Sequence, residues 1–274
     1  MRRPAIALCL ALSCFTVAAI AQPSAPLRVA IYEAAGVAPS AIETARAAME
    51  ADGMQVAIVT PEDVRGGALD RADAVLFTGG RGSVQGRLLG DDGRERVRRF
   101  VANGGGYVGI CAGSYLAMQG EPEFYKIAIV AAEQSTGDRW LRGIRPLPVR
   151  PSDGSPEVTL HYANGPLLAP TRVRGLTPFV TLATFAAEVH RSEYGTLPGE
   201  MLGAPAVAAA RYRQGRLLLF SPNPTLDPGH PALFARGVRW AAAGGAVPRD
   251  LRWRDVFGEG ADESASEPAT PAGR

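Results

Sequence analysis

The stretch Gly106-Tyr107-Val108-Gly109-Ile110-Cys111-Ala112-Gly113-Ser114-Tyr115 restricts this chain more than any other. An apolar strand ends there and a helix begins at once, with Cys111 at the corner between Gly109 and Gly113. Gly-x-Cys-x-Gly is the cysteine form of a nucleophile elbow. The corner brings strand and helix so close that only small residues fit on either side of the central one. A cysteine there points its sulfur out at the carboxyl ends of the strands. The adjoining helix N-terminus favours thiolate. The alternative reading is a buried, inert cysteine packed as a small hydrophobe.

The rest of the first half alternates strand and helix. Leu27 to Tyr32, Met54 to Val59, Ala72 to Phe77 and Tyr107 to Ile110 read as buried strands. Between them, Ser40 to Glu43 has capping-box spacing and Ile42, Ala45 and Met49 recur at helical intervals. Arg94 to Ala102 reads as a second helix with Val97, Phe100 and Val101 inward and its arginines on a solvated face. Such alternation implies a parallel sheet covered on both faces, so the fold class is α/β.

The second half is richer in β structure. Glu157 to Tyr162, Phe179 to Ala183, Ala206 to Tyr212 and Arg216 to Phe220 read as short strands, the last two forming a hairpin around Arg213-Gln214-Gly215. The proline-rich run Arg145 to Pro156 reads as an irregular surface loop, and Pro231 to Ala243 as a helix. One domain over residues 22–257 is expected, followed by a disordered acidic tail over 258–274.

Residues 1–21 have the marks of a secretory signal peptide: Arg2 and Arg3, an apolar run from Ala5 to Ile20, and Ala19-Ile20-Ala21 before Gln22. The expected location is periplasmic or secreted, with no membrane association after cleavage. The full chain has 29 basic and 27 acidic residues. Without Arg2 and Arg3 the charge is formally zero, which disfavours nucleic acid and anionic membranes as partners. Cleavage also removes Cys9 and Cys14, so Cys111 is left without a disulfide partner. With no Cys-x-x-Cys and three histidines, His161, His190 and His230, neither a metal site nor a cofactor is expected.

Two glycine-rich stretches flank these elements. Thr78-Gly79-Gly80-Arg81-Gly82-Ser83 follows a strand and leaves backbone N–H groups uncovered at the same sheet edge as Cys111. The Gly80 and Ala112 amides are candidates for an oxyanion hole; the alternative is a flexible turn needing positive φ. Gly104-x-Gly106-x-x-Gly109 has the lettering of a dinucleotide fingerprint but precedes its strand, which misplaces its amides for a pyrophosphate.

Together, the Thr78–Ser83 turn, the run Gly105 to Ala117, Tyr162-Ala163-Asn164-Gly165 and the strand leading into Ser221-Pro222-Asn223-Pro224 resemble the glutamine-amidotransferase-like (class I) superfamily. Within it, the chain is most similar to the biotin–protein ligase N-terminal domain family in a stand-alone form. The resemblance implies a flavodoxin-like, doubly wound, mostly parallel sheet with β-hairpin additions. It implies Cys111 as a nucleophile that attacks a carboxamide, Gly80 and Ala112 as oxyanion donors, and a pocket lined by Tyr162 and Asn164.

The departure from the family is as informative. Active members carry His-Pro-Glu where this chain has Asn223-Pro224-Thr225. Asparagine takes no proton near neutral pH and threonine orients no imidazolium, so the usual triad is missing. His230, seven residues beyond Asn223, is the candidate substitute base, and Glu33 at the end of the first strand is a candidate neighbour of the sulfur. Three readings stay open: a thiol-dependent hydrolase of a small amide with a degenerate triad, a non-catalytic protein binding a small molecule or a partner, and a thiol redox sensor.

Overall fold

A computed structural model describes residues 25–120, 123–137 and 139–259. The expected signal peptide over 1–21, and the expected tail beyond Glu259, lie outside these residues. The first half runs β1 (Arg28–Tyr32), α1 (Pro39–Ala51), β2 (Gln55–Val59), α2 (Pro61–Arg65), β3 (Ala74–Phe77), α3 (Gly82–Ala102), β4 (Gly106–Ile110) and α4 (Ala112–Ala117). It continues with β5 (Ala132–Gln134), β6 (Ile144–Pro151), β7 (Val158–Ala163), β8 (Leu168–Pro170), β9 (Val180–Phe185), β10 (Pro205–Tyr212), β11 (Gly215–Phe220), α5 (Pro231–Ala242) and α6 (Trp253–Phe257).

Nine strands form one sheet in the order β2-β1-β3-β4-β11-β10-β9-β6-β7, and β5 pairs with β8 in a small second sheet. From β2 to β11 the strands are parallel; from β10 outward they are antiparallel. The fold is therefore a doubly wound α/β sheet with an antiparallel extension, as expected. β1, β3 and β4 are buried along nearly their whole length because both faces are covered. Alternate side chains serve the two layers. Ile31, Leu76, Ile110 and Phe220 pack beneath α1, α5 and α6, while Tyr32, Phe77, Tyr107 and Leu219 pack beneath α3 and α4.

Four local expectations are corrected. Arg145 to Pro156 is mostly strand: β6 pairs with β7 from Ile144 to Val149 and with β9 from Val149 to Pro151. Prolines two apart, Pro146 and Pro148, direct their missing N–H to one side of the strand, so the ladder survives on the other. The first helix does not use a Ser40–Glu43 box: Ala38 is its N-cap, without a capping side chain, and Pro39 presets the first helical φ. The second helix begins at Gly82, well before Arg94, and is broken at Gly90 (φ 71°, ψ 174°). Its glycines obscure the helical pattern. Gly86 is nonetheless required, since a Cβ there would lie 2.1 Å from the Tyr125 carbonyl oxygen. Finally, Arg94 is buried, bonded through Nη1 to the Gly86 carbonyl at 2.8 Å and paired with Asp91. Among the described residues no helix is long and apolar enough to cross a membrane.

Candidate active site at the Cys111 corner

The elbow is built by contacts that leave no room for larger residues. A Cβ on Gly113 would meet the Phe77 carbonyl oxygen at 1.9 Å, and one on Gly109 would meet the Gly113 carbonyl carbon at 2.8 Å. Tyr107 Oη donates to the Gly113 carbonyl at 2.7 Å, and Ser114 Oγ lies 2.8 Å from both the Gly109 and Phe220 carbonyls. Cys111 itself has φ 51° and ψ −105°, a strained conformation for a side-chain-bearing residue. Its amide donates to the Phe220 carbonyl at 2.8 Å, which anchors the corner to β11.

Cys111 as a whole is half-buried. Its sulfur donates to the Ala163 carbonyl oxygen at 3.6 Å, and the Ala112 and Gly80 amides both point at it. Burial pushes the thiol pKa up, and those two amides offset only part of the rise. The corner therefore favours a protonated thiol at neutral pH. Gly80 reaches the sulfur because the turn is tight: its φ is 133°, it bridges to Val37, and an added Cβ would lie 2.0 Å from the Gly36 carbonyl oxygen.

The sequence-predicted residues divide into two groups. Cys111, Gly80 and Ala112 come together at the sulfur. Tyr162 and Asn164 flank Ala163 at the end of β7. Tyr162 is fully buried with its hydroxyl on the Gly165 carbonyl at 3.0 Å. Asn164 adopts φ 54° and accepts from the Arg142 and Gly143 amides at 2.8 and 2.7 Å.

The remaining candidates are engaged elsewhere. Asn223 Oδ1 accepts from Thr225 N at 2.7 Å, Thr225 Oγ1 at 2.9 Å and Leu226 N at 3.2 Å. Its backbone pairs with His161, and Thr225 Oγ1 continues to Thr44 Oγ1 of α1 at 2.9 Å. His230 caps α5 with Nε2 2.9 Å from the Thr159 carbonyl oxygen, and His161 Nδ1 lies 2.9 Å from the Asp227 carbonyl oxygen. Glu33 lines a cavity of about 540 Å³ with Val37, Thr60, Pro61 and Glu62, and β3 separates its strand from β4. Among the described residues, neither a histidine nitrogen nor a carboxylate is a hydrogen-bond partner of the sulfur. No group of three or more His, Cys, Asp or Glu is placed among them to hold a metal ion.

Residues 27–134 match the family described as biotin-protein ligase, N terminal. A glutamine amidotransferase crystal structure superposes with a TM-score of 0.50 at 20% identity, covering 72% of this chain and 90% of that one. The chain has the class I glutamine-amidotransferase-like fold. A ThuA-like protein from Parabacteroides merdae ATCC 43184 shares it, with a TM-score of 0.52 at 17% identity over 82% of this chain and 94% of its own. No curated protein matches the chain. On this amidotransferase-like sheet the Cys111 corner lies where β4 ends, between the ends of β3 and β11.

Sequence reasoning missed Arg142. It is fully buried, and its Nη2 lies 2.8 Å from Glu200 Oε2. A single arginine in a loop carries no periodic or motif signal, and only the packing of β6 against β7 brings it to Asn164.

Proposed function

We propose that this chain is an amidotransferase-like protein that binds a small polar molecule at the Cys111 corner without hydrolysing it. One observation carries the reading: the sulfur's partners are one carbonyl and two amides, none of which takes a proton from a thiol. Covalent catalysis by cysteine requires thiolate or an adjacent base. Burial favours the thiol, and the position of the missing histidine is occupied by an asparagine committed to its own turn. The two amides that serve an oxyanion in an active relative here become donors to a ligand oxygen.

The test is turnover. The purified protein should release no ammonia from a panel of small primary amides. Ammonia release that disappears in Cys111→Ala would overturn the proposal and restore the hydrolase. We also infer export, from the basic start, apolar run and Ala19-Ile20-Ala21 site of the sequence. N-terminal sequencing of protein from a periplasmic extract should then begin at Gln22; a chain retaining Met1 in the cytoplasm would refute it.

A further inference from the structure

The two edges of the nine-stranded sheet are finished differently. β7, at one end, has a strand neighbour on one side only, yet each of its outward-facing residues, Thr159, His161 and Ala163, has a backbone partner within the chain. His161 exchanges both backbone hydrogen bonds with Asn223, at 3.2 and 2.7 Å. The Thr159 carbonyl meets His230 Nε2 at 2.9 Å, and the Ala163 carbonyl receives the Cys111 thiol at 3.6 Å. A turn, a helix cap and the Cys111 corner close that edge.

β2, at the other end, is open. It pairs only with β1, in parallel. The Gln55 amide donates to the Leu27 carbonyl at 2.8 Å, and the Val59 carbonyl accepts from the Glu33 amide at 2.9 Å. Gln55, Ala57 and Val59 therefore turn their backbone groups toward β1, and the N–H and C=O of Val56 and Ile58 face outward. Among the described residues, those outward groups have no hydrogen-bond partner. The strand also lacks the devices that usually keep such an edge single, since Gln-Val-Ala-Ile-Val has no charge and no proline. The Val56 and Ile58 side chains pack on the α1 side of the sheet but stay half-buried, and Ala57 is exposed on the other face.

We propose that the β2 edge binds a second copy of this chain, edge to edge and antiparallel, about a two-fold axis at Ala57. Self-complementarity selects this occupant. With Ala57 opposite its own copy, Val56 faces the partner's Ile58 and Ile58 faces the partner's Val56, each pair exchanging two hydrogen bonds. Every outward group of the edge is then satisfied. A shift of one residue would set these groups against ones already turned to β1. Val56 and Ile58 are β-branched and cover each other's remaining exposed surface across the seam. The small Ala57 side chain permits the close approach of a non-hydrogen-bonded pair, about 4.5 Å between Cα atoms. Because the joined strands run oppositely, the two Cys111 corners face opposite ends of the continuous sheet, with β1 and β3 between each corner's β4 and the seam. The interface is independent of what binds at the corner.

Light scattering behind size exclusion should give twice the chain mass for the purified protein at high micromolar concentration. Ala57→Lys sets like charges opposite each other across the axis and should give a folded monomer with native circular dichroism, since an exposed edge position in a single chain tolerates lysine. Ala57→Cys should cross-link copy to copy on mild oxidation, because the paired Cα atoms lie within disulfide reach. Gln55→Cys should not, since that residue faces the partner's Val59 and lies ~13 Å from its own copy. The native chain, whose one described cysteine is Cys111, gives the background. The Val56 and Ile58 amides should exchange with solvent more slowly as protein concentration rises. A native protein that stays monomeric, a dimer unchanged by Ala57→Lys, or cross-linking through Gln55→Cys and not through Ala57→Cys would each overturn the proposal. If Ala57→Lys does not fold, the two cysteine variants decide. A monomer whose Val56 and Ile58 amides are protected at every concentration would assign the edge to another segment of this chain and likewise overturn the second copy.

Discussion

The Cys111 thiol donates to the Ala163 carbonyl oxygen at 3.6 Å, a contact that a thiolate could not make. A neutral thiol donates to a carbonyl; a thiolate does not. The contact and the burial act in the same direction, keeping the proton on sulfur.

Alkylation of Cys111 by iodoacetamide should therefore follow a thiol pKa above the ~8.5 of free cysteine, rising steeply only in alkaline solution. The same proton should make reaction with peroxide slow at pH 7. A rate that levels off below pH 8 would show an activated thiolate and contradict the geometry. The redox-sensor reading depends on such a thiolate.

Replacing Gly113 by alanine should destabilise the fold by about 3 kcal/mol or more, since overpacking against backbone has no rotamer escape. The added Cβ would lie 1.9 Å from the Phe77 carbonyl oxygen, and β3 and α4 would have to separate. Denaturant unfolding of Gly113→Ala against Ala112→Gly reads the difference. The second variant removes a side chain at the same corner without a clash.

Asn223 is predicted to matter for folding. Its Oδ1 holds three donors, two of them backbone amides, so Asn223→Ala should cost about 2–3 kcal/mol of stability at ~1 kcal/mol each. Asn223→Asp preserves the acceptor and should recover most of that loss. If both variants unfold alike, the turn is not what Asn223 supports. Asn223→His should produce no amidase, because the residue's backbone is tied to His161 on β7 and the turn donors are lost.

Glu200 sets the behaviour in acid. The Leu197 amide and the Arg142 and Arg139 side chains hold its pKa at about 2, below its ordinary 4.5. A carboxylate with a lowered folded-state pKa contributes stability that is present above its unfolded value and lost as pH falls through its folded one. The protein should therefore lose stability between about pH 4.5 and 2. Glu200→Gln should flatten that limb of the thermal melting profile and lower the melting temperature at pH 7, where buried Arg142 would lose its counter-charge. An unchanged acid limb in the variant would show that other carboxylates carry it.

The elbow is legible in the sequence because everything that defines it is local. Gly109, Cys111 and Gly113 lie within five residues, and the strand before and helix after declare themselves by their own composition. The hairpin of β10 and β11 is legible for the same reason, with Tyr212 opposite Gly215 across a two-residue turn. β6 was hidden because prolines lower any local strand score, whereas its place depends on having β7 on the side where no N–H is missing.

The missing triad was also visible, since an Asn-Pro-Thr run contains no base wherever it folds. What replaces it was not. His230 is near Asn223 along the chain, but its ring nitrogen meets the carbonyl of Thr159, 71 residues away. Glu33 ends a strand on the correct edge, yet its place in the strand order puts β3 between it and β4. Three cysteines and a net charge of +2 describe the full chain. The protonation of Cys111 and the burial of Arg142 beside Asn164 and Glu200 are consequences of contacts between distant segments. Local residue order determined the strand–helix corner and the absence of its usual base. The tertiary structure decided what surrounds the sulfur, because the proton affinity of a buried group depends on which distant dipoles and charges the fold packs against it.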